Sequence, residues 1–317
     1  MPKLLTHWVF AEDLRRRMPK GWRVRKAVDR NPYLYRYGAV APDTPFYLLW
    51  GPGSDELNRQ AEGFHERGEG IERFLSAAGE AAGSVDGEQR LSLVAGIFCH
   101  AAADAVFHPM VYYNSGFGTA SARWRHHRIE GFIDLHFSGN FRRPEIRRLD
   151  EILRGLEVDV DTLIDWLAQL FDLDPSRHRF HLRRALQRNV LFLKLFANRP
   201  ARLLAGWAAP SAPVGLKAYL AHFYPYRLPA PGRLFPEPIV YRNPATGRPE
   251  KKRIEEMGKE AVDDALAVLE NIEMGRRRIA DLLPAGWNLH TGVGALPKAA
   301  MSFFDTERPV REIVGLQ

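Results

Sequence analysis

The stretch GIFCHAAADAVFHP, residues 96–109, sets His100, Asp104 and His108 four residues apart in a run that is otherwise small or apolar. Residues four apart lie about 5–6 Å from one another on one face of an α-helix, so the three polar groups form a single row. Their neighbours, among them Ile97, Phe98, Ala101, Ala103, Val106 and Phe107, leave no polar face for solvent, the pattern of a helix buried all round. An imidazole or carboxylate there costs free energy unless a partner or a cation satisfies it. Pro109 has no amide hydrogen and is expected to kink or end the helix just past His108.

The same spacing recurs downstream. In RHHRIEGFIDLHF, residues 125–137, His126, Glu130 and Asp134 form a second row, with His127 offset onto another face. The short GFGT link at 116–119 predicts that the two helices pack antiparallel, with their rows converging. Imidazole and carboxylate donors suit zinc, which takes three or four such ligands and leaves a position for water. Several ions in one cleft lower the pKa of a water and clamp a phosphoryl group. A lone His-x-x-x-Asp pair is commonly an exposed ion pair and a lone buried histidine commonly a satisfied core residue. Two such rows in neighbouring helices point instead to shared metal.

Working outward, apolar residues recur at three and four and seldom alternate. LTHWVFAEDLRRRM (5–18) reads as a first helix with Thr6 near its cap, while the aromatic and proline-rich residues 22–53 read as irregular. Ser54-Asp55-Glu56 opens a helix expected to reach about Ala82. Asp86 is the expected cap of the helix bearing the first row, to about Tyr113, and Ser121 starts the next, to about Phe137. PEIRRLDEILRGL, VDTLIDWLAQLF and PSRHRFHLRRALQRNVLFLKLF continue the helical pattern, and RIEEMGKEAVDDALAVLENIEMGRRRIADLL is a long amphipathic helix followed by a loop-like tail. The expected class is all-α, a multi-helix bundle with a metal cluster in a cleft. Residues 1–224 form its metal-binding domain, the Pro-rich 225–250 a loop, hairpin or lid, and 251–317 a helix and tail packed on the same domain.

Composition sets outer bounds. The chain has 317 residues, 45% hydrophobic and 26% charged, ordinary for a globular protein. Cys99 is the only cysteine, which excludes an internal disulfide and fits a reducing compartment. The net charge of +7 favours anionic partners such as phosphate esters, lipid headgroups or nucleic acid. It is equally the mark of a solvated arginine-rich surface. The most apolar run, VLFLKLFANRPARLLAGWAA (190–209), is interrupted by Lys194, Arg199 and Arg202, so no spanning helix is expected. The N-terminal MPKLLTHWVFAEDLRRR is too short in apolar residues for a secretory leader. A cytoplasmic location is the expectation.

The ordered motifs THWVFAEDL, GAVAPD, GFHERG, GIFCHAAADAVFHP and HHRIEGFID, spread over residues 5–140, resemble the zinc-dependent phospholipase C family and its relatives, the tri-zinc single-strand nucleases. The resemblance implies an all-helical fold with metal ions in a cleft. It also implies hydrolysis of phosphoric esters with a zinc-bound hydroxide as nucleophile. Carried over by position, it makes Asp43 a ligand or general base at a first ion, with His65 and His100 as further ligands and Asp104 as a bridge between ions. His108, His126 and Glu130 would hold another ion, His7 would help with a third, and Asp134 and His127 would support the ligands. Secreted members use a processed N-terminal tryptophan at the third ion. Here the sequence opens Met1-Pro2 and Trp8 follows His7, so the zinc count is two or three.

The implied substrate is a phosphate ester, with phospholipid headgroups and a peripheral contact with anionic membrane in view. A nuclease on the same scaffold is the second reading and needs a groove with aromatic platforms and basic walls. A di-iron bundle needs paired Glu-x-x-His motifs, and only Glu62–His65 is found; the adjacent His-Asp of dyad phosphohydrolases does not occur. A non-catalytic lipid or protein binder that retains a metal site is the remaining alternative. His222 and His290 lie in loop-like stretches and are assigned no role.

Overall fold

In the computed structural model the described residues are 4–140, 149–225, 234–235, 238–283, 286–294 and 296–315. The chain opens with α1 (Leu4–Arg17), α2 (Arg23–Arg30) and α3 (Pro32–Gly38), followed by a 3₁₀ helix, Ala41–Tyr47. Residues 22–53 are thus largely helical, contrary to the sequence reading. Two of the prolines there start helices rather than exclude them, Pro32 and Pro42 sitting in the first turns of α3 and the 3₁₀ helix, where a missing N–H costs nothing, while Pro45 lies within the 3₁₀ helix.

Next come α4 (Ser54–Arg67) and α5 (Ile71–Glu80) in place of one helix to Ala82. The break falls at Gly68 and Gly70, both left-handed, at φ +69° and +86°; a chain that needs two such residues within three cannot continue an α-helix.

The axis of the fold is α6 (Val85–Ser115). Its cap is Ser84, whose hydroxyl accepts the Gly87 N–H, and not Asp86. Pro109 neither ends it nor stops it short of Ser115. The proline removes the donor that the Ala105 carbonyl would have used, and Gly292 packs into that notch. A Cβ on Gly292 would lie 2.5 Å from the Ala105 oxygen and 3.2 Å from Pro109 Cγ. By length and apolarity alone α6 could span a bilayer, where the sequence reading expected no such helix, but 89% of its most apolar window is buried inside the protein.

Two glycines let α3 cross α6 closely. A Cβ on Gly96 would fall 2.1 Å from the Tyr35 carbonyl oxygen, and one on Gly38 2.2 Å from that of Leu93. The crossing brings the Ala39 carbonyl to within 3.2 Å of His100 Nδ1.

After α6 come α7 (Ala120–Asn140), α8 (Leu149–Arg154), α9 (Val160–Leu170) and α10 (Pro175–Ala197). Asp159 and Asp174 cap α9 and α10 by accepting backbone N–H groups of Thr162 and Ser176. The apolar run 190–209 is cut at Asn198, which caps α11 (Arg199–Ala208); α12 (Val214–Leu220) follows. An antiparallel hairpin, β1 (Ile239–Arg242) with β2 (Pro249–Lys252), pairs Ile239 with Lys252 and Arg242 with Pro249. It occupies part of the expected loop region, of which 226–233 and 236–237 lie outside the described residues. Then come α13 (Ile254–Glu273), α14 (Ile279–Leu282) and α15 (Val310–Ile313). Among the described residues the fold is all-α apart from that hairpin, and one hydrophobic cluster runs from Leu4 to Val314.

Candidate metal centre

Five residues from four elements meet beside the middle of α6. His7 comes from α1, Asp43 from the 3₁₀ helix, His65 from the last turn of α4, and His100 and Asp104 from α6. All five are at least nine-tenths buried. His100 Nε2 lies 3.1 Å from Asp104 Oδ2 and 3.8 Å from Asp43 Oδ1. His65 Nε2 lies 3.5 Å from Asp43 Oδ1 and 3.9 Å from Asp104 Oδ2. His7 Nε2 is 3.5 Å from Asp104 Oδ1, and its ring stacks on His100 with centroids 4.2 Å apart. His7, Asp43 and His100 form one compact donor group, and His65, His100 and Asp104 another, sharing His100.

A third group, His108, His126 and Glu130, lies along α6 and α7. His126 Nε2 is 2.7 Å from Glu130 Oε1, while His127 Nδ1 is 3.1 Å from Glu130 Oε2. His127 thereby holds the outer oxygen of a carboxylate whose inner oxygen faces His126. Asp134 continues the α7 row by spacing but sits elsewhere. Its carboxylate accepts the backbone N–H groups of Leu5 and Thr6 and the hydroxyls of Thr6 and Tyr224. A carboxylate at the first turn of α1 satisfies otherwise unpaired amides and the positive end of the helix, which fixes the helix turn that carries His7.

The imidazoles are oriented from behind. His65 Nδ1 donates to the Ala61 carbonyl at 2.7 Å, His100 Nδ1 to that of Ala39, and His108 Nδ1 to that of Leu289. Each bond fixes the tautomer and leaves Nε2 with its lone pair toward the centre. The buried Nε2 atoms of His65, His100 and His108, Asp43 Oδ1 and both oxygens of Asp104 accept or donate no hydrogen bond among the described residues. So many buried polar atoms without a partner are costly, and nitrogen and carboxylate oxygen are the donor set zinc prefers. The residues fit the metal.

The protonation states agree with that. Burial pushes His108 and His126 well below the ordinary imidazole pKa, so both are neutral and able to ligate. For His100 burial acts downward but the Asp104 and Asp43 carboxylates outweigh it, and its pKa is raised. Asp104, pushed up by burial, is held lower by His100.

A family model for zinc-dependent phospholipase C matches residues 6–175. The chain belongs to that family. No curated protein and no solved structure matches it. The matched region carries all eight members of the three donor groups.

The centre opens on a cleft of about 550 Å³. Of the first five residues only Asp43 and His65 line it, joined by His108, His126, Glu130 and, on the rim of that group, His127. The other walls are mainly aromatic and aliphatic, with Phe46, Tyr47, Phe192 and Phe196 among them, and among the described residues the only lysine or arginine side chains lining it are Arg123 and Lys298.

Several cleft residues escape sequence reasoning. His290 Nε2 donates to Glu62 Oε2 at 3.0 Å, and its Nδ1 accepts from the Tyr112 hydroxyl at 3.2 Å. Its ring lies 5.9 Å from His65 and 5.7 Å from His108, centroid to centroid, between the donor groups. Burial holds it neutral, its pKa pushed down to about 4. Glu62, raised by burial but lowered further by His290 and Lys298, falls to about 2 and stays ionised. Residues 286–294 form a strap across both groups: Leu289 N–H donates to the His65 carbonyl while Leu289 C=O accepts from His108. Trp287 Nε1 donates to the Phe64 carbonyl at 2.7 Å. The only prior signal was GWNLHTGVG, a histidine in a glycine-rich loop.

Proposed function

We propose that the protein hydrolyses phosphoric mono- or diesters of the phospholipase C type at this centre, with a phospholipid headgroup or a similar small diester in the cleft. The observation that carries the reading is the convergence of imidazole and carboxylate donors from α1, the 3₁₀ helix, α4, α6 and α7 at the floor of an apolar cleft, with those of Asp43, His65, His100, Asp104 and His108 holding buried atoms that make no hydrogen bond among the described residues. Zinc bound there supplies Lewis acidity toward phosphoryl oxygens and makes a water nucleophilic at neutral pH. The protein's residues do the rest. His7, His65, His100 and Asp104 on one side, and His108, His126 and Glu130 on the other, fix the charges that meet the phosphate. Asp43 is the carboxylate of the first group that faces the cleft, which suits it to take the proton of the attacking water. Lys298 is half-buried beside Tyr112 and Glu62, and although burial lowers the affinity of its amine for a proton, these neighbours raise it further, so an ammonium faces the cleft. It is placed to neutralise a phosphoryl oxygen.

Apolar and aromatic walls with two cationic side chains favour a headgroup with lipid attached over a nucleic acid, whose backbone calls for a basic track. The test is a turnover screen of the zinc-loaded protein over short-chain phospholipids, choline phosphodiesters and single-stranded DNA. Release of diacylglycerol or an equivalent alcohol, lost in Asp104→Ala and His126→Ala, is expected. Cleavage of DNA alone would transfer the reading to the nuclease relatives, and no turnover of any ester would reject it.

A further inference from the structure

The segment just beyond the family match is built inside out. In α11, Leu203, Leu204 and Trp207 lie on one helical face by their spacing of three and four, and that face points to solvent: Trp207 is 81% exposed. Ala205, on the opposite side, is the buried residue of the helix. Exposed leucines recur one turn apart on α10, at 191 and 195. A contiguous apolar surface of this kind marks an interaction site.

Two observations say what it meets. Residues 175–225 carry nine arginines and lysines and not one aspartate or glutamate. The surface is also continuous with the mouth of the cleft. Leu195 of α10, Tyr219 of α12, and Leu49 and Trp50 after the 3₁₀ helix all line the cleft while remaining exposed. Arg188 sits 4.7 Å over the Trp50 ring and donates to its carbonyl, so a cation stands at that rim. Arg177, Arg179, Arg183 and Lys194 pair with Asp174, Asp165, Asp161 and Asp150 at one edge, and apolar side chains among the other cations, Arg184, Arg188 and Lys217 included, match an interface of acyl chains beneath anionic headgroups. A second copy of the chain is a poor occupant, because a self-complementary contact would set like charges against one another.

We propose that the exposed face of α10–α12 docks on anionic phospholipid bilayers and so seats the mouth of the cleft at the lipid surface. This rests on the phospholipase C-like reading of the cleft only for its purpose, since docking itself needs no turnover.

The test is co-sedimentation of the zinc-loaded full chain with vesicles of phosphatidylcholine, with and without phosphatidylglycerol. Binding is expected to the anionic vesicles, to weaken as salt is raised, and to fall roughly tenfold or more in the double variant Leu204→Ser, Trp207→Ser. Both side chains are exposed, so the variant should melt as the wild type does and turn over a short-chain soluble diester equally well. Wild-type protein that ignores anionic vesicles, or a folded variant that binds them as tightly, overturns the docking surface. So does a dimer in light scattering that the variant dissolves, or displacement of the face by single-stranded DNA with no vesicle binding. Vesicle binding without hydrolysis of any ester leaves docking standing and removes the enzymatic reading; hydrolysis of soluble diesters without vesicle binding does the reverse.

Discussion

Asn288→Ala should weaken metal binding at one donor group and spare the other. The Asn288 side chain is buried, and its Oδ1 accepts the N–H groups of His290 and Thr291, each at 3.0 Å. This turn holds Leu289 so that its carbonyl meets His108 Nδ1. Alanine leaves two donors in the interior without an acceptor. At about 1–3 kcal/mol for each orphaned group, moderated by local relaxation, the fold should lose about 2–4 kcal/mol. Loss of a hydrogen bond behind a metal-binding imidazole typically costs roughly 10–100-fold in affinity, and that loss should fall on the group of His108, His126 and Glu130. His100 is held by Ala39 and His65 by Ala61 of its own helix, so their affinity should stay near that of the wild type. Zinc competition against a chromophoric chelator, with urea denaturation alongside, separates the two effects. Asn288→Asp keeps the accepting oxygen and should recover most of the affinity. An alanine variant with both classes of site unchanged, or with both weakened alike, would refute the strap as a specific support for His108.

Gly96→Ala should destabilise the protein by about 1–3 kcal/mol in urea denaturation, because the new methyl would meet the Tyr35 carbonyl at 2.1 Å and neither backbone can yield. Metal-free protein should lose stability as pH falls below 6.5 toward 4. His290 is depressed to about 4 in the fold against 6.5 for the free group, so on acidification the unfolded chain takes the proton first. Denaturation of metal-free His290→Gln should show a shallower slope over that window, and an unchanged slope would count against a buried neutral His290. Lys298→Met removes the ammonium facing the cleft and should raise KM for an anionic ester by roughly tenfold with little change in melting temperature; an unaltered KM would exclude contact with the phosphate.

The His100, Asp104, His108 row and the His126–Glu130 pair were readable because helical period alone sets which residues share a face. Asp134 belongs to the same row by period, yet its carboxylate is engaged by the first turn of α1, more than a hundred residues away in the chain. Local spacing holds no record of that. Pro109 is similar: whether a proline breaks a helix depends on what fills the notch it leaves, here Gly292 from the far end of the sequence. In residues 22–53 the prolines look like breakers because their role depends on whether they fall at a first turn or an interior one. Glu62 and His290 are 228 residues apart and carry no shared motif, so their pairing at the cleft is visible only in the fold.

The buried donors at the centre make sense together only if cations hold them. Zinc analysis of the wild type, Asp104→Ala and His126→Ala, all purified without added metal, addresses that directly. The expected result is two or three zinc ions in the wild type, matching the three donor groups, with a partial and different loss in each variant. Wild-type protein that is folded and free of metal, or variants that retain the full complement, would contradict it.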